Sequence, residues 1–252
     1  HKAPKFNKNQ PLFIYEAHVG MSSDQPKVSS YREFANEIIP RIKKAGYNAI
    51  QLMALQEHPY YGSFGYHVSN FFAASSRFGT PDDLKYLIDT AHENNILVIM
   101  DIVHSHAVKN EAEGLGKFDG TTTQYFYEND HPTWDSKLFD YGKLEVAHFL
   151  LSNARYFLEE YKLDGFRFDG VTSMIFHDHG LGSGIGSYDD YYGANINRDA
   201  LMYLKNANDL IHKINPNAIT IAEEVSGYPG LAASTEEGGT GFDYRLNMSA
   251  PN

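Results

Sequence analysis

Short apolar, β-prone runs alternate with segments of helical period along almost the whole chain, and this alternation leaves few folds open. Strand-like runs fall at Leu12–Tyr15, Ala49–Leu52, Ile96–Val103, Gly165–Phe168, Ala218–Ala222 and about Phe242–Met248. Between them, Tyr31–Ala45 carries apolar residues at Phe34, Ile38, Ile42 and Ala45, with Gly46 as its C-cap. Thr80-Pro81-Asp82-Asp83 reads as a helix start, with threonine at the N-cap, proline at N1 and acids in the first turn. That helix is expected to reach about Asn94, and further helices are expected over Leu144–Glu160 and Asp199–Ile214. The run at Ile96–Val103 is nearly continuous in apolar residues, as a strand covered on both faces should be. Repeated βα units imply a parallel sheet.

Two parallel architectures compete. A doubly wound sheet usually places a glycine-rich phosphate loop after an early strand, and neither GxGxxG nor GxxxxGK[ST] follows a strand here. The glycine-rich run 182–186 sits in a loop and reads as a flexible turn. Polar residues gather instead after the C-terminal ends of several strands, where a (β/α)8 barrel keeps its active site. The expected fold class is therefore α/β, a (β/α)8 TIM barrel apparently truncated after about the sixth strand. The stretch from about 107 to 141, after the third strand, is too long for a connector and reads as an excursion near a site.

The strand ends carry the chemistry. Arg167 and Asp169 lie two apart, so on an extended strand both point to one face, where arginine holds the carboxylate ionised and oriented. That pair reads equally as a structural ion pair or as a held nucleophile. After the third strand come Asp101, His104 and His106, and after the fifth comes Glu223. Gly65-Tyr66-His67 lies in the tyrosine-rich loop after the second. Two carboxylates on neighbouring strands fit glycoside chemistry, one attacking the anomeric carbon while the other protonates the leaving oxygen. HEXXH is absent and the histidines form no evident ligand set, so a metal centre is not expected.

Composition narrows the partners. The chain has 252 residues, 42% of them hydrophobic, and no run long enough for a membrane helix. Its formal net charge of −11 argues against nucleic acid, which calls for basic patches. Zero cysteines exclude disulfides and thiolate chemistry and fit an intracellular protein. The clusters Pro59-Tyr60-Tyr61 and Asp190-Tyr191-Tyr192 read either as a sugar-binding cleft or as ordinary tyrosines. With no initiator methionine and an end just after a strand-like run, the chain reads as part of a longer protein.

The motifs DIVHSH (101–106), DGFRFDGVTSM (164–174) and TIAEEVSG (220–227) resemble those of the eukaryotic-type glycogen and starch branching enzymes, in the α-amylase superfamily. The stretch 53–89, WDSKLFDYGKLEVAHFLLSN (134–153) and GGTGFDYRLNM (238–248) resemble that family as well, so the likeness runs from Leu12 onward. The resemblance implies that Asp169 is the nucleophile, Glu223 the general acid and base, and Arg167 the residue that orients Asp169. It further implies that Tyr66, Asp101 and His106 contact the sugar or brace the site, that Trp134 stacks a glucosyl unit, and that Asp135 shapes the acceptor side. The implied partner is an α-1,4-glucan such as glycogen, amylose or starch. No cofactor or metal is implied, because the carboxylates do the work, and the compartment is cytoplasmic, or a plastid for a plant-type parent.

Departures limit the likeness. The family's fourth motif, a His-Asp pair after the seventh strand, has no counterpart, since His177-Asp178 lies in the loop after the fourth. Lys137 stands where arginine is usual, His67 where glutamine is common and Glu224 where aspartate is usual. Residues 1–252 are thus expected to be a partial (β/α)8 catalytic domain, without the N-terminal glucan-binding module and the C-terminal β-domain. By itself the segment is expected to be inactive or weak. An α-amylase-type retaining hydrolase and a non-catalytic glucan-binding protein are the alternatives.

Overall fold

The computed structural model describes residues 3–182 and 185–246. Ten strands are found among them: β1 (Ile14–Ala17), β2 (Ala49–Leu52), β3 (Gln56–Glu57), β4 (Asn70–Ala74), β5 (Leu97–Ile102), β6 (His106–Val108), β7 (Ser136–Leu138), β8 (Gly165–Phe168), β9 (Ile219–Glu223) and β10 (Tyr244–Leu246). Six form one parallel sheet in the order β1-β2-β5-β8-β9-β10. These are the six strand-like runs of the sequence, neighbours in space as in the chain, which is the winding of a (β/α)8 barrel. Of the sixth run, residues 247 and 248 lie outside the described residues, as do residues 183 and 184 of the glycine-rich loop. Among the described residues β1 and β10 are the free edges of this partial barrel.

Two layers of packing follow from the strand period of two. Val98, Met100, Ile102, Phe166, Phe168 and Ala222 join the large core with the helices. Residues of the other parity, Ala49, Leu97, Ile99, Ile219 and Ile221, form a second buried cluster on the opposite face, joined by Ile14 and Tyr244. This is the barrel interior. Asp101, Arg167 and Glu223 share the parity of that interior cluster, and the register sets Asp101 beside Arg167 and Arg167 beside Ile221. The interior therefore turns from apolar to charged toward the strands' C-terminal ends. Gly165 makes the close β8–β9 approach possible: a Cβ there would lie 1.9 Å from the Ile219 carbonyl oxygen.

The helices follow the sequence pattern, with one break. Thr80 caps the Pro81–Glu93 helix by accepting from the Asp83 amide, and Asp83 accepts in turn from the Thr80 amide. The helix expected over 31–45 runs from 31 to 44 with a wide π turn at Phe34–Ile38. Pro40 has no amide hydrogen for the regular ladder, and the Ile39 amide reaches back to the Phe34 carbonyl instead. Helices Leu144–Tyr161 and Arg198–Ile214 lie within a residue of expectation. Three features were not expected: the antiparallel pair β3–β4 in the tyrosine-rich loop, the pair β6–β7 within the excursion, and a short helix at Val171–Ile175.

Candidate active site

One guanidinium organises the mouth of the sheet. Arg167 Nη1 donates to Asp101 Oδ2 at 2.9 Å and to Asp169 Oδ1 at 3.0 Å, and Nη2 lies 3.1 Å from Glu223 Oε1. The three carboxylates come from the ends of β5, β8 and β9, and Arg167 stands on the middle strand with all three in reach. Burial disfavours its charge, yet Asp101, Glu223 and Asp169 together hold the guanidinium more firmly protonated than an ordinary arginine. Glu223 Oε2 accepts from the Gly170 amide at 2.8 Å, which fixes the carboxylate of β9 against the turn after β8. Gly170 is required at that turn. Its φ is +64°, and a Cβ would meet Trp134 Cη2 at 3.1 Å and Ser105 Oγ at 3.0 Å.

One positive charge does not balance three negative ones in a buried place. Asp169 is pushed up to about 7, by burial first and then by Glu223, with Arg167 opposing. Asp101, wholly buried, is likewise pushed up to about 7 by burial, against the pull of Arg167 and the Tyr66 hydroxyl. Tyr66 donates to Asp101 Oδ2 at 2.6 Å. His106 donates from Nε2 to the Tyr66 carbonyl at 2.7 Å, so its Nδ1 is the acceptor toward Ser105 Oγ, 2.8 Å away. Burial lowers His106 to about 4, which keeps it neutral.

Above these groups opens a cavity of about 520 Å³. Of the sequence-derived candidates, Tyr66, His106, Trp134, Asp169 and Glu223 line it. Arg167 and Asp101 lie behind this wall, with Arg167 paired to Asp169 and Glu223 and Asp101 hydrogen-bonded to Tyr66. Trp134 sits edge-on to His106 at 5.2 Å between ring centres and stacks on His131 at 4.0 Å. Its position comes from the β6–β7 pair, which folds the excursion back over the mouth. Asp135 is the exception. Its φ of +49° turns the side chain outward, where it is 84% exposed and pairs with Lys109 at 2.9 Å, apart from the cavity. His104 also points away: it is buried between Tyr203 Oη at 2.5 Å and Asn153 Oδ1 at 2.8 Å, among the helices.

Wall residues that were not singled out from the sequence include Thr172, His179 and Val225. They stand on the Val171–Ile175 helix and on loops, where no strand parity signals direction. His179 has a φ of +60°, and its Nδ1 donates to the Ser173 carbonyl at 3.0 Å.

Comparison with known proteins places this geometry. The family model described as α-amylase, catalytic domain, matches residues 36–114. The 1,4-alpha-glucan-branching enzyme of Saccharomyces cerevisiae is 55% identical over 265 residues, covering all of this chain and 38% of that protein. The chain belongs to the α-amylase family. A second family member, the chloroplastic/amyloplastic 1,4-alpha-glucan-branching enzyme 2-2 of Arabidopsis thaliana, is 57% identical over 252 residues, covering 98% of this chain and 31% of its own. The chain thus spans less than two fifths of the length of these curated relatives. Among solved structures, an α-amylase from Geobacillus thermoleovorans complexed with acarbose superposes with a TM-score of 0.71 at 18% identity. The overlap covers 94% of this chain and 52% of that one, and it establishes the α-amylase barrel as the shared fold.

Proposed function

We propose that the protein carrying this segment is a 1,4-alpha-glucan branching enzyme, and that these residues are its catalytic core. One observation carries the reading: a single arginine holds two carboxylates from neighbouring barrel strands, Asp169 and Glu223, in the wall of one cavity. Retaining glycoside chemistry requires two such groups about 5–5.5 Å apart. Asp169 attacks the anomeric carbon of an α-1,4 bond as Glu223 gives its proton to the departing 4-oxygen. Arg167 engages Asp169 Oδ1, and we assign the attack to Oδ2. The glucosyl ester on Asp169 is then opened by the 6-hydroxyl of another chain, whose proton passes to Glu223. Two inversions at one carbon leave the new α-1,6 bond with the original anomeric configuration. Trp134 stacks the glucan, while Tyr66 and His106 face the sugar.

Nothing in this chemistry calls for a metal, because ionised and protonated carboxylates supply nucleophile, acid and base. No helix among the described residues is long and apolar enough to cross a membrane. We assign the protein to the cytoplasm, or to a plastid in a plant-type parent. The test is to incubate the full-length protein that carries this segment with amylose and follow linkages by proton NMR alongside reducing ends. Growth of α-1,6 signals at constant reducing ends is the expected result. Reducing ends rising without branch points would identify a hydrolase, and glucan binding without either change a non-catalytic binder.

A further inference from the structure

The catalytic cavity does not end at its own walls. Thr172, Gly180 and Val225 are shared with an adjoining cavity of about 370 Å³ that reaches Tyr191 and Ser226. Beyond Tyr191 lies a third cavity of about 390 Å³, lined by Tyr188, Tyr192 and Tyr228 together with Arg198, Lys205 and Glu237. Tyr191, in the wall of the second cavity, stands edge-on to Tyr228 and Tyr188 of the third, each at 5.9 Å between ring centres. Its hydroxyl donates to the Ser226 carbonyl at 2.8 Å, which holds the ring in place. Tyr228 is fixed from the catalytic side. Buried Glu224, next to Glu223, accepts from the amides of Ser226, Gly227 and Tyr228 at 2.7, 3.2 and 3.2 Å, so one carboxylate orders the loop between the two places.

Tyr188 and Tyr192 are 64% and 56% exposed, so core packing does not account for this pair of rings. Exposed aromatic faces flanked by two cations and a carboxylate suit a neutral polyhydroxylated chain, whose sugar faces stack and whose hydroxyls accept and donate. We propose that the three cavities form one continuous track for a single α-1,4-glucan, with Tyr188 and Tyr192 gripping the part of the chain remote from Asp169 and Glu223. This inference rests on the glucan reading of the catalytic cavity. It adds that the molecule measures chain length, because only a long glucan occupies both ends.

The experiment is calorimetric titration of this chain with maltotriose and with long soluble amylose, in parallel with two double variants. Tyr188→Ala/Tyr192→Ala is expected to weaken amylose binding about tenfold while changing maltotriose binding by less than about twofold. Tyr188→Phe/Tyr192→Phe, which keeps the stacking faces, is expected to retain amylose affinity within about threefold. The track is overturned if the alanine pair leaves amylose affinity unchanged, if both sugars weaken in parallel, or if the phenylalanine pair loses as much as the alanine pair. If neither sugar binds the unaltered chain, the glucan reading of the catalytic cavity falls together with the track. If both bind and the alanine pair has no effect, the track alone falls.

Discussion

Replacing Asp169 by asparagine is expected to lower glucan transfer by about four to six orders of magnitude, the scale on which removal of an attacking group acts. The same change is expected to stabilise the fold at alkaline pH. In the native protein Asp169 competes with Asp101 and Glu223 for one guanidinium, and its proton affinity is raised to about 7 by burial and by Glu223. The folded state therefore binds this proton more tightly than the unfolded chain, whose aspartate titrates near 3.9. Stability from this group is complete below about pH 4 and is lost as pH rises through about 7. Asparagine cannot ionise and escapes that loss. Urea midpoints should coincide near pH 4 and favour Asp169→Asn by on the order of 1–3 kcal/mol at pH 8. A variant destabilised at pH 8, or one that retains transfer within tenfold, contradicts the assigned role.

The second large effect is the reverse. Arg167→Leu takes away the counter-charge of three carboxylates on one buried face. It is expected to cost about 3–5 kcal/mol at pH 8, because removing one partner of a buried ion pair leaves the others uncompensated. Arg167 depresses the proton affinities of Asp101 and Asp169, so its removal raises both further. At pH 5 those groups take up protons, and the loss should shrink to less than half. Arg167→Lys should recover little, since an ammonium lacks the planar fork that reaches Asp101, Asp169 and Glu223 together. Denaturation midpoints at the two pH values decide the matter. A loss independent of pH would mean that Arg167 serves packing rather than charge.

Much of this site is legible in the chain because strand parity reports direction. Leu97, Ile99 and Asp101, like Arg167 and Asp169, fall on one face by counting in twos, and the six parallel strands appear where the apolar runs lie. Legibility stops where the strands stop. His104 and His106 are also two apart, yet β5 ends at Ile102 and the chain bends at Ser105, so they point to different places. Asp135 neighbours Trp134 in sequence, but the positive φ at 135 swings its carboxylate to Lys109 and out of the mouth. The strands of β6–β7 are three residues each, too short for any period to register, although that pair carries Trp134 over His106. His179 and Thr172 reach the cavity from a loop and a short helix whose directions depend on tertiary contacts.

Covalent trapping bears most directly on the claim that Asp169 and Glu223 divide the chemistry. In Glu223→Gln, a substrate such as α-maltotriosyl fluoride needs no acid, because fluoride departs unaided, whereas opening of the ester lacks its base. Trapping counts single turnovers and so reads the reaction even where overall turnover is slow. Mass spectrometry of the digested protein is expected to find a maltotriosyl adduct on the peptide containing Asp169, absent when Asp169 is also changed to asparagine. An adduct on any other residue, or none under conditions where the fluoride is consumed, would contradict it.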